Sequence, residues 1–134
     1  MPTLLEIVSP DRLLLSQPVD MAVIPAAEGE MGVLPGHSPM IVLLRGGTIT
    51  IHEGGRPTSQ LYVSGGFAEV TPERCTVLAD EAIPVAEVSR AQAETRLQAA
   101  QAEVTAAGTD VAAYDLAAAK VQSARAMLAA AGAP

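Results

Sequence analysis

The residue usage of this chain changes abruptly at Pro84, and the change predicts a fold built in two parts. Before Pro84 the apolar residues come in short runs. In residues 48–52 polar and apolar side chains alternate, which is the period of a strand with one buried face. Glycine and proline residues separate the runs and mark turns. Many short strands at even spacing predict an antiparallel β-sandwich, which we place at residues 1–84.

From Glu87 onward alanine dominates and β-branched residues thin out, which favours helices. Gly108-Thr109-Asp110 supplies a helix stop followed by an N-cap, so we predict an antiparallel helical hairpin at residues 85–134. Its seam repeats at helical spacing, with Ala93, Leu97, Ala100, Val104 and Ala107 on one helix and Tyr114, Ala117, Val121, Ala124 and Leu128 on the other. Alanine buries little apolar surface, so the hairpin either docks on the sandwich or detaches and repacks on another protein.

Composition and missing motifs exclude several classes of function. The formal net charge of −7 excludes nucleic acid as a partner, because binding to phosphates requires a basic surface. Cys75 is the single cysteine, so we predict no disulfide and no multi-cysteine metal site, and we place its thiol in the core. No nucleophile elbow or phosphate-binding loop is present, so we predict no catalytic residue, no metal and no cofactor. We also predict no signal peptide and no membrane-spanning segment.

Residues 29–39 hold three glycines, two prolines and His37 between two apolar runs. Such a segment predicts a shaped, semi-rigid loop. From it we expect Glu30, Met31 and Val33 to project outward as a docking tip. His37 has two interpretations. It acts as a general base beside a neighbouring carboxylate, or it braces the loop by hydrogen-bonding nearby backbone, which we favour.

Three motifs follow one another along the chain. They are Gly29-Glu30-Met31-Gly32-Val33-Leu34-Pro35-Gly36-His37-Ser38-Pro39, Val63-Ser64-Gly65-Gly66-Phe67-Ala68-Glu69-Val70 and Val77-Leu78-Ala79-Asp80-Glu81-Ala82. With the helical hairpin behind them, these motifs closely resemble those of the epsilon subunit of bacterial F-type ATP synthases. The resemblance covers essentially the whole chain. It implies a mainly β fold with a helical part: an antiparallel sandwich of about ten strands, followed by the helical hairpin.

The resemblance also implies a function. It implies a non-catalytic subunit in the central stalk of a proton-translocating rotary ATP synthase, which binds the gamma subunit and the c-ring and couples rotation to ATP synthesis. Such a subunit is a peripheral membrane protein on the cytoplasmic face of the bacterial inner membrane, held there only through the complex. The family's docking loop for the c-ring and gamma corresponds to Glu28, Gly29, Glu30, Met31, Gly32, Val33, Pro35, Gly36 and His37.

In this family the hairpin can extend and restrain ATP hydrolysis by pressing basic residues against the alpha and beta subunits. Here the second helix offers only Lys120 and Arg125 for such contacts, so we expect weak or absent inhibition. Some members bind ATP through an Ile/Leu-Asp-x-x-Arg-Ala motif, which corresponds to residues 86–91 of this chain. Glu87 stands in place of the aspartate, so Glu87 and Arg90 form a weak ATP site or simply a helix N-terminus.

Three alternatives stand beside the stalk subunit. The first is a free-standing module whose hairpin captures a partner protein. The second is an ATP-sensing domain that works through Arg90. The third is an enzyme built on His37 and Glu30, for which the chain offers no further catalytic residue.

Overall fold

The computed structural model of the chain describes residues 2–132. Met1 of the predicted sandwich and Ala133 and Pro134 of the predicted hairpin lie outside the described residues. The strands are β1 (Thr3–Ser9), β2 (Arg12–Val19), β3 (Met21–Ala26), β4 (Gly29–Val33), β5 (Met40–Leu44), β6 (Gly47–Glu53), β7 (Arg56–Val63), β8 (Gly66–Val70), β9 (Arg74–Ala79) and β10 (Ala82–Pro84). A 3₁₀ turn, Val85–Glu87, leads into α1 (Arg90–Ala107) and α2 (Val111–Ala131).

The strands pair in the order β10-β7-β6-β3-β5-β8-β9-β1-β2, with β4 paired to β3. Folded over one apolar core, they confirm the predicted β-sandwich of ten strands. One pair departs from a purely antiparallel arrangement, because β1 runs parallel to β9 with Leu4 opposite Arg74. These two strands come from opposite ends of the sandwich sequence, so no local pattern could have predicted their pairing.

The core is built by the period-two alternation of the strands. Leu5 and Ile7 of β1 are fully buried, and so are Ile49 and Ile51 of β6, as their alternation with threonine predicts. Cys75 of β9 is also fully buried, which confirms the predicted core thiol. Burial raises the pKa of Cys75 to about 11, so its thiol stays protonated at neutral pH.

The helical hairpin is confirmed together with its predicted joint. Gly108 ends α1 with a φ of +56°, a left-handed conformation that favours glycine. Asp110 then caps α2, because its Oδ1 accepts a hydrogen bond from the backbone N–H of Ala113 at 3.1 Å. Ser89 caps α1 in the same way through the N–H of Gln92 at 3.2 Å. No helix among residues 2–132 is both long and apolar enough to cross a membrane.

The hairpin seam is made of alanine, as predicted, with one exception. The buried seam residues are Ala93, Ala100, Ala117 and Ala124. Tyr114 was predicted to join them, but it is 48% exposed. It lies in the first turn of α2 and borders an open groove between the two helices, beside Val104 and Val121. The fully buried aromatic is Tyr62 of β7, which packs against Met127 and Ala130 of α2.

Candidate functional site

The predicted docking loop is largely a strand. Residues Gly29–Val33 form β4, which pairs with β3 from Ala26 opposite Gly29 to Ala22 opposite Val33. Only Ala27 and Glu28 form the turn between the two strands. The prediction of a loop is therefore wrong for residues 29–33. Glycine at positions 29 and 32 suggested turns, whereas both residues belong to a regular antiparallel ladder.

The side chains of this β3–β4 hairpin do not all project outward. Glu28 and Glu30 are exposed, so the tip of the hairpin presents two carboxylates to solvent. Met31 is half-buried and packs against the core. Val33 is fully buried, so the expectation that it projects is wrong. The alternation of the strand explains this outcome, because it turns positions 31 and 33 towards the core and position 30 towards solvent.

The turn after β4 is tied to the opposite side of the sandwich. The backbone N–H of Gly36 donates to the carbonyl oxygen of Pro72 at 2.8 Å. The N–H of His37 donates to the carbonyl oxygen of Leu34 at 3.2 Å. The His37 Nδ1 lies 2.9 Å from the carbonyl oxygen of Ser38, a hydrogen bond that Nδ1 donates when it carries the proton. These contacts match the bracing role set out above for His37.

A second surface was missed by the sequence reasoning, and it lies on the outer face of the sandwich. Leu43 of β5 pairs with Phe67 of β8, and Phe67 pairs with Leu78 of β9. Val8 of β1 then lies between Leu78 and Leu13 of β2. Directly opposed residues on neighbouring strands share one face. These five residues therefore form a continuous strip across five strands, which we call the outer apolar row.

The outer apolar row is open to solvent. Leu43 is 68% exposed, Leu13 57%, Phe67 44% and Leu78 38%. Ile41 of β5, two residues before Leu43 on the same face, is also exposed. Contiguous exposed apolar surface of this kind is typical of a protein–protein contact. The signal was present in the sequence, because Met40-Ile41-Val42-Leu43-Leu44 has no polar position and so predicts a strand covered on both faces.

A groove of about 620 Å³ separates the helical hairpin from the edge of the sandwich. At one side of it, Arg96 of α1 donates from both terminal nitrogens to the Glu81 carboxylate, with Nη2 at 2.9 Å from Oε2. The hydrogen bond from Arg96 lowers the pKa of Glu81, against the opposing effect of burial. Tyr62 also borders the groove, and burial, assisted by the Glu81 charge, raises its pKa to about 12.

The residues of the predicted ATP motif lie outside this groove. Glu87 is exposed in the 3₁₀ turn, and Arg90 begins α1 with its Nη1 3.8 Å from the Glu94 carboxylate. Neither Glu87 nor Arg90 is among the residues that line the groove. Lys120 does line it, and its Nζ is 3.2 Å from Glu103 Oε1. Both cations of the groove, Lys120 and Arg96, therefore already contact carboxylates.

The Arg96–Glu81 pair predicts an acid-sensitive contact. Because the folded-state pKa of Glu81 lies below its ordinary value of 4.5, its stabilising effect is present above that value and is lost as the pH falls through the lowered pKa. We expect the melting temperatures of the parent chain and Glu81→Gln to differ at neutral pH and to converge in acid, as followed by circular dichroism. Glu94→Gln, at an exposed ion pair, is the control. If the difference in melting temperature between the parent chain and Glu81→Gln stays constant with pH, the prediction is contradicted.

Comparison with known proteins finds relatives that match this chain over nearly its whole length. The family model described as "ATP synthase, Delta/Epsilon chain, beta-sandwich domain" matches residues 3–85. The ATP synthase epsilon chain of Granulibacter bethesdensis is 62% identical over 130 residues, covering 96% of this chain and 96% of that protein. The ATP synthase epsilon chain of Gluconacetobacter diazotrophicus is 45% identical over 135 residues, covering 100% of this chain and 96% of that protein.

Two solved structures of ATP synthase assemblies contain chains with a similar fold. A chain of the Euglena gracilis mitochondrial ATP synthase, solved as an OSCP/F1/c-ring assembly, superposes with a TM-score of 0.76 at 28% identity. That match covers 96% of this chain and 81% of the Euglena chain. A chain from the central stalk and c-ring of the Tetrahymena thermophila mitochondrial ATP synthase gives a TM-score of 0.70 over 98% of this chain and 97% of its own length. At 13% identity the second match supports the fold alone.

Proposed function

The chain belongs to the delta/epsilon family of ATP synthase subunits, and on that premise we propose that it is a non-catalytic central-stalk subunit of a rotary, proton-translocating ATP synthase. In that role it joins the gamma subunit to the c-ring and helps to couple rotation to ATP synthesis. It is a subunit of a membrane-bound complex. We place it on the cytoplasmic face of the bacterial inner membrane, where it reaches the membrane through its partner subunits.

The observation that carries this proposal is the outer apolar row. Leu43, Phe67 and Leu78 leave a broad apolar strip uncovered in the free chain. A subunit held permanently in a rotor buries such surface against its partner, since stable interfaces are apolar at their centre. We therefore assign this row to the contact with the gamma subunit.

The β3–β4 hairpin supplies a second contact, to the c-ring. We assign the contact itself to the exposed Glu28 and Glu30 of the tip. Their carboxylates suit the polar loops that a membrane ring presents to its stalk. The rest of the predicted docking loop has a supporting role: Gly29, Met31, Gly32 and Val33 form the strand, and Pro35, Gly36 and His37 shape the turn that follows it.

Reversal of the charge at Glu30 tests the c-ring contact. A tagged chain carrying Glu30→Lys, isolated from its own membranes, is expected to retain gamma but to recover about tenfold less c subunit, since the substitution reverses the charge that the proposed contact presents to its partner. Glu53→Lys is the control, because Glu53 is an exposed carboxylate near the other end of β3. Loss of gamma together with the c subunit, or equal loss in the control, contradicts the assignment.

The roles predicted for the helical hairpin, inhibition of ATP hydrolysis and ATP binding, stay predictions. Weak or absent inhibition by contacts with the alpha and beta subunits is supported by the ion pair between Lys120 and Glu103, which leaves Arg125 as the second exposed cation of α2. An ATP-sensing role is not favoured by any contact, because Glu87 and Arg90 stand apart from the groove.

A further inference from the structure

A second row of residues crosses the outer face of the sandwich beside the outer apolar row. Ile41 of β5 pairs with Glu69 of β8, and Glu69 pairs with Thr76 of β9. Thr76 also lies opposite Glu6 of β1 in the parallel ladder. Each of these four residues lies two positions from a member of the outer apolar row on its own strand, so it faces the same side. We call these four residues the second row.

The two carboxylates of the second row differ in their surroundings. Glu6 is half-buried, and its Oε1 accepts a hydrogen bond from Thr76 Oγ1 at 3.2 Å and lies 3.4 Å from Arg74 Nε. Glu69 is exposed, and within residues 2–132 its carboxylate makes no ion pair. Its cross-strand neighbours, Ile41 and Thr76, carry no charge. The charge of Glu69 is therefore the one in this row that no neighbouring cation balances.

A partner that covers the outer apolar row also covers Glu69. The Glu69 side chain leaves β8 about 7 Å from that of Phe67, since the two residues are two positions apart on one strand. Ile41, directly opposite Glu69, is 73% exposed and apolar. Burial of Phe67 and Ile41 against a partner therefore removes water from the carboxylate between them. A buried carboxylate without a partner is unfavourable, whereas a cation that pairs with it offsets the lost hydration.

We propose that Glu69 determines which surface can bind the outer face: that surface carries an arginine or lysine that pairs with the Glu69 carboxylate, next to the apolar contact at Phe67 and Ile41. This inference rests on the proposed function, in which the partner is the gamma subunit. Apolar contact has no preferred direction, so the outer apolar row alone does not fix how the partner is placed along the strands. One ion pair beside the row fixes that register.

Binding kinetics of the purified full-length chain with purified gamma subunit test the ion pair. Glu69→Gln keeps the size of the side chain and removes its charge. We expect its complex with gamma to dissociate about tenfold faster or more, because the cation of gamma is left unpaired inside the interface. The association rate is expected to stay within about threefold, since differences between related complexes lie mostly in dissociation.

Glu53→Gln is the matched control for this variant. Glu53 is an exposed carboxylate at the end of β6, a strand that carries no residue of either row, so its complex should keep the parent rates. The melting temperature of the free Glu69→Gln chain should equal that of the parent, because Glu69 is exposed and unpaired within the described residues. A faster dissociation therefore reports the interface and not the fold.

Substitutions in the gamma subunit identify the cation. Each exposed arginine and lysine of gamma is replaced by alanine, and binding is measured with the parent chain and with Glu69→Gln. For one of these positions we expect the two losses not to add, because both substitutions remove the same pair. A position remote from Glu69 should give additive losses.

The outcomes separate this inference from the function on which it rests. If Glu69→Gln dissociates at the parent rate, or if no cation of gamma couples to Glu69, the ion pair is refuted, while binding of the parent chain to gamma still supports the proposed function. If Glu69→Gln and Glu53→Gln slow association equally and leave dissociation unchanged, the charge acts at long range and the pair is also refuted. If the parent chain does not bind gamma, the proposed function fails and this inference fails with it.

Discussion

Replacing Leu43 and Phe67 together by aspartate is expected to weaken binding of this chain to the gamma subunit by at least about 100-fold, because two unpaired carboxylates cannot be buried cheaply in an apolar interface. Leu43 and Phe67 face each other across β5 and β8 and lie outside the buried core, with exposed fractions of 68% and 44%, so the substitutions should leave the free chain folded. Binding of the purified variant to purified gamma subunit, followed by titration calorimetry, measures the loss.

The control for this experiment carries the same added charge at a different place. Thr58→Asp with Gln60→Asp puts two carboxylates on exposed positions of β7, outside the outer apolar row. This variant should bind gamma within about twofold of the parent, because charges remote from an interface act weakly through screened solvent. If both variants bind gamma equally weakly, the added charge acts generally. If the Leu43 and Phe67 variant binds gamma as tightly as the parent, the outer apolar row is not part of the interface.

The sequence predicted the strands and helices of this fold better than it predicted which strands pair. Strand alternation correctly placed Ile49 and Ile51 in the core, and Gly108 and Asp110 correctly marked the joint of the helical hairpin. Both signals are local, since they depend on residues a few positions apart. The parallel pairing of β1 with β9 brings together segments about 70 residues apart in the register, and only tertiary structure reveals it.

The candidate sites likewise combine local features, which the sequence indicates, with contacts between distant segments, which it does not. The glycines of β4 favour turns, whereas the alternation of Glu30, Met31 and Val33 carries the period of a strand. The outer apolar row is assembled from single residues of five strands. The apolar run at residues 40–44 signals only the β5 part of the row, and the register of the other strands completes it.

Gly66→Ala is expected to lower the free energy of unfolding by about 3 kcal/mol or more, since backbone strain and a steric clash act together at this position. Gly66 begins β8 with a φ of +130°, a conformation that side chains rarely adopt. An added Cβ would lie 2.1 Å from the carbonyl oxygen of Leu78, which belongs to the neighbouring strand β9 and has no room to retreat without separating the two strands. Urea denaturation followed by circular dichroism measures the change.

Gly29→Ala separates the two causes of that destabilisation. Gly29 has a similar positive φ, of +140°, but a Cβ there meets no atom within 4 Å. Its substitution adds backbone strain alone and is expected to cost about 2 kcal/mol. The difference between the two variants then measures the close contact of β8 with β9, the pair of strands that carries Phe67 and Leu78 of the outer apolar row. If both variants lose the same free energy of unfolding, backbone strain alone accounts for the destabilisation by Gly66→Ala. The two strands would then separate slightly with little loss of stability.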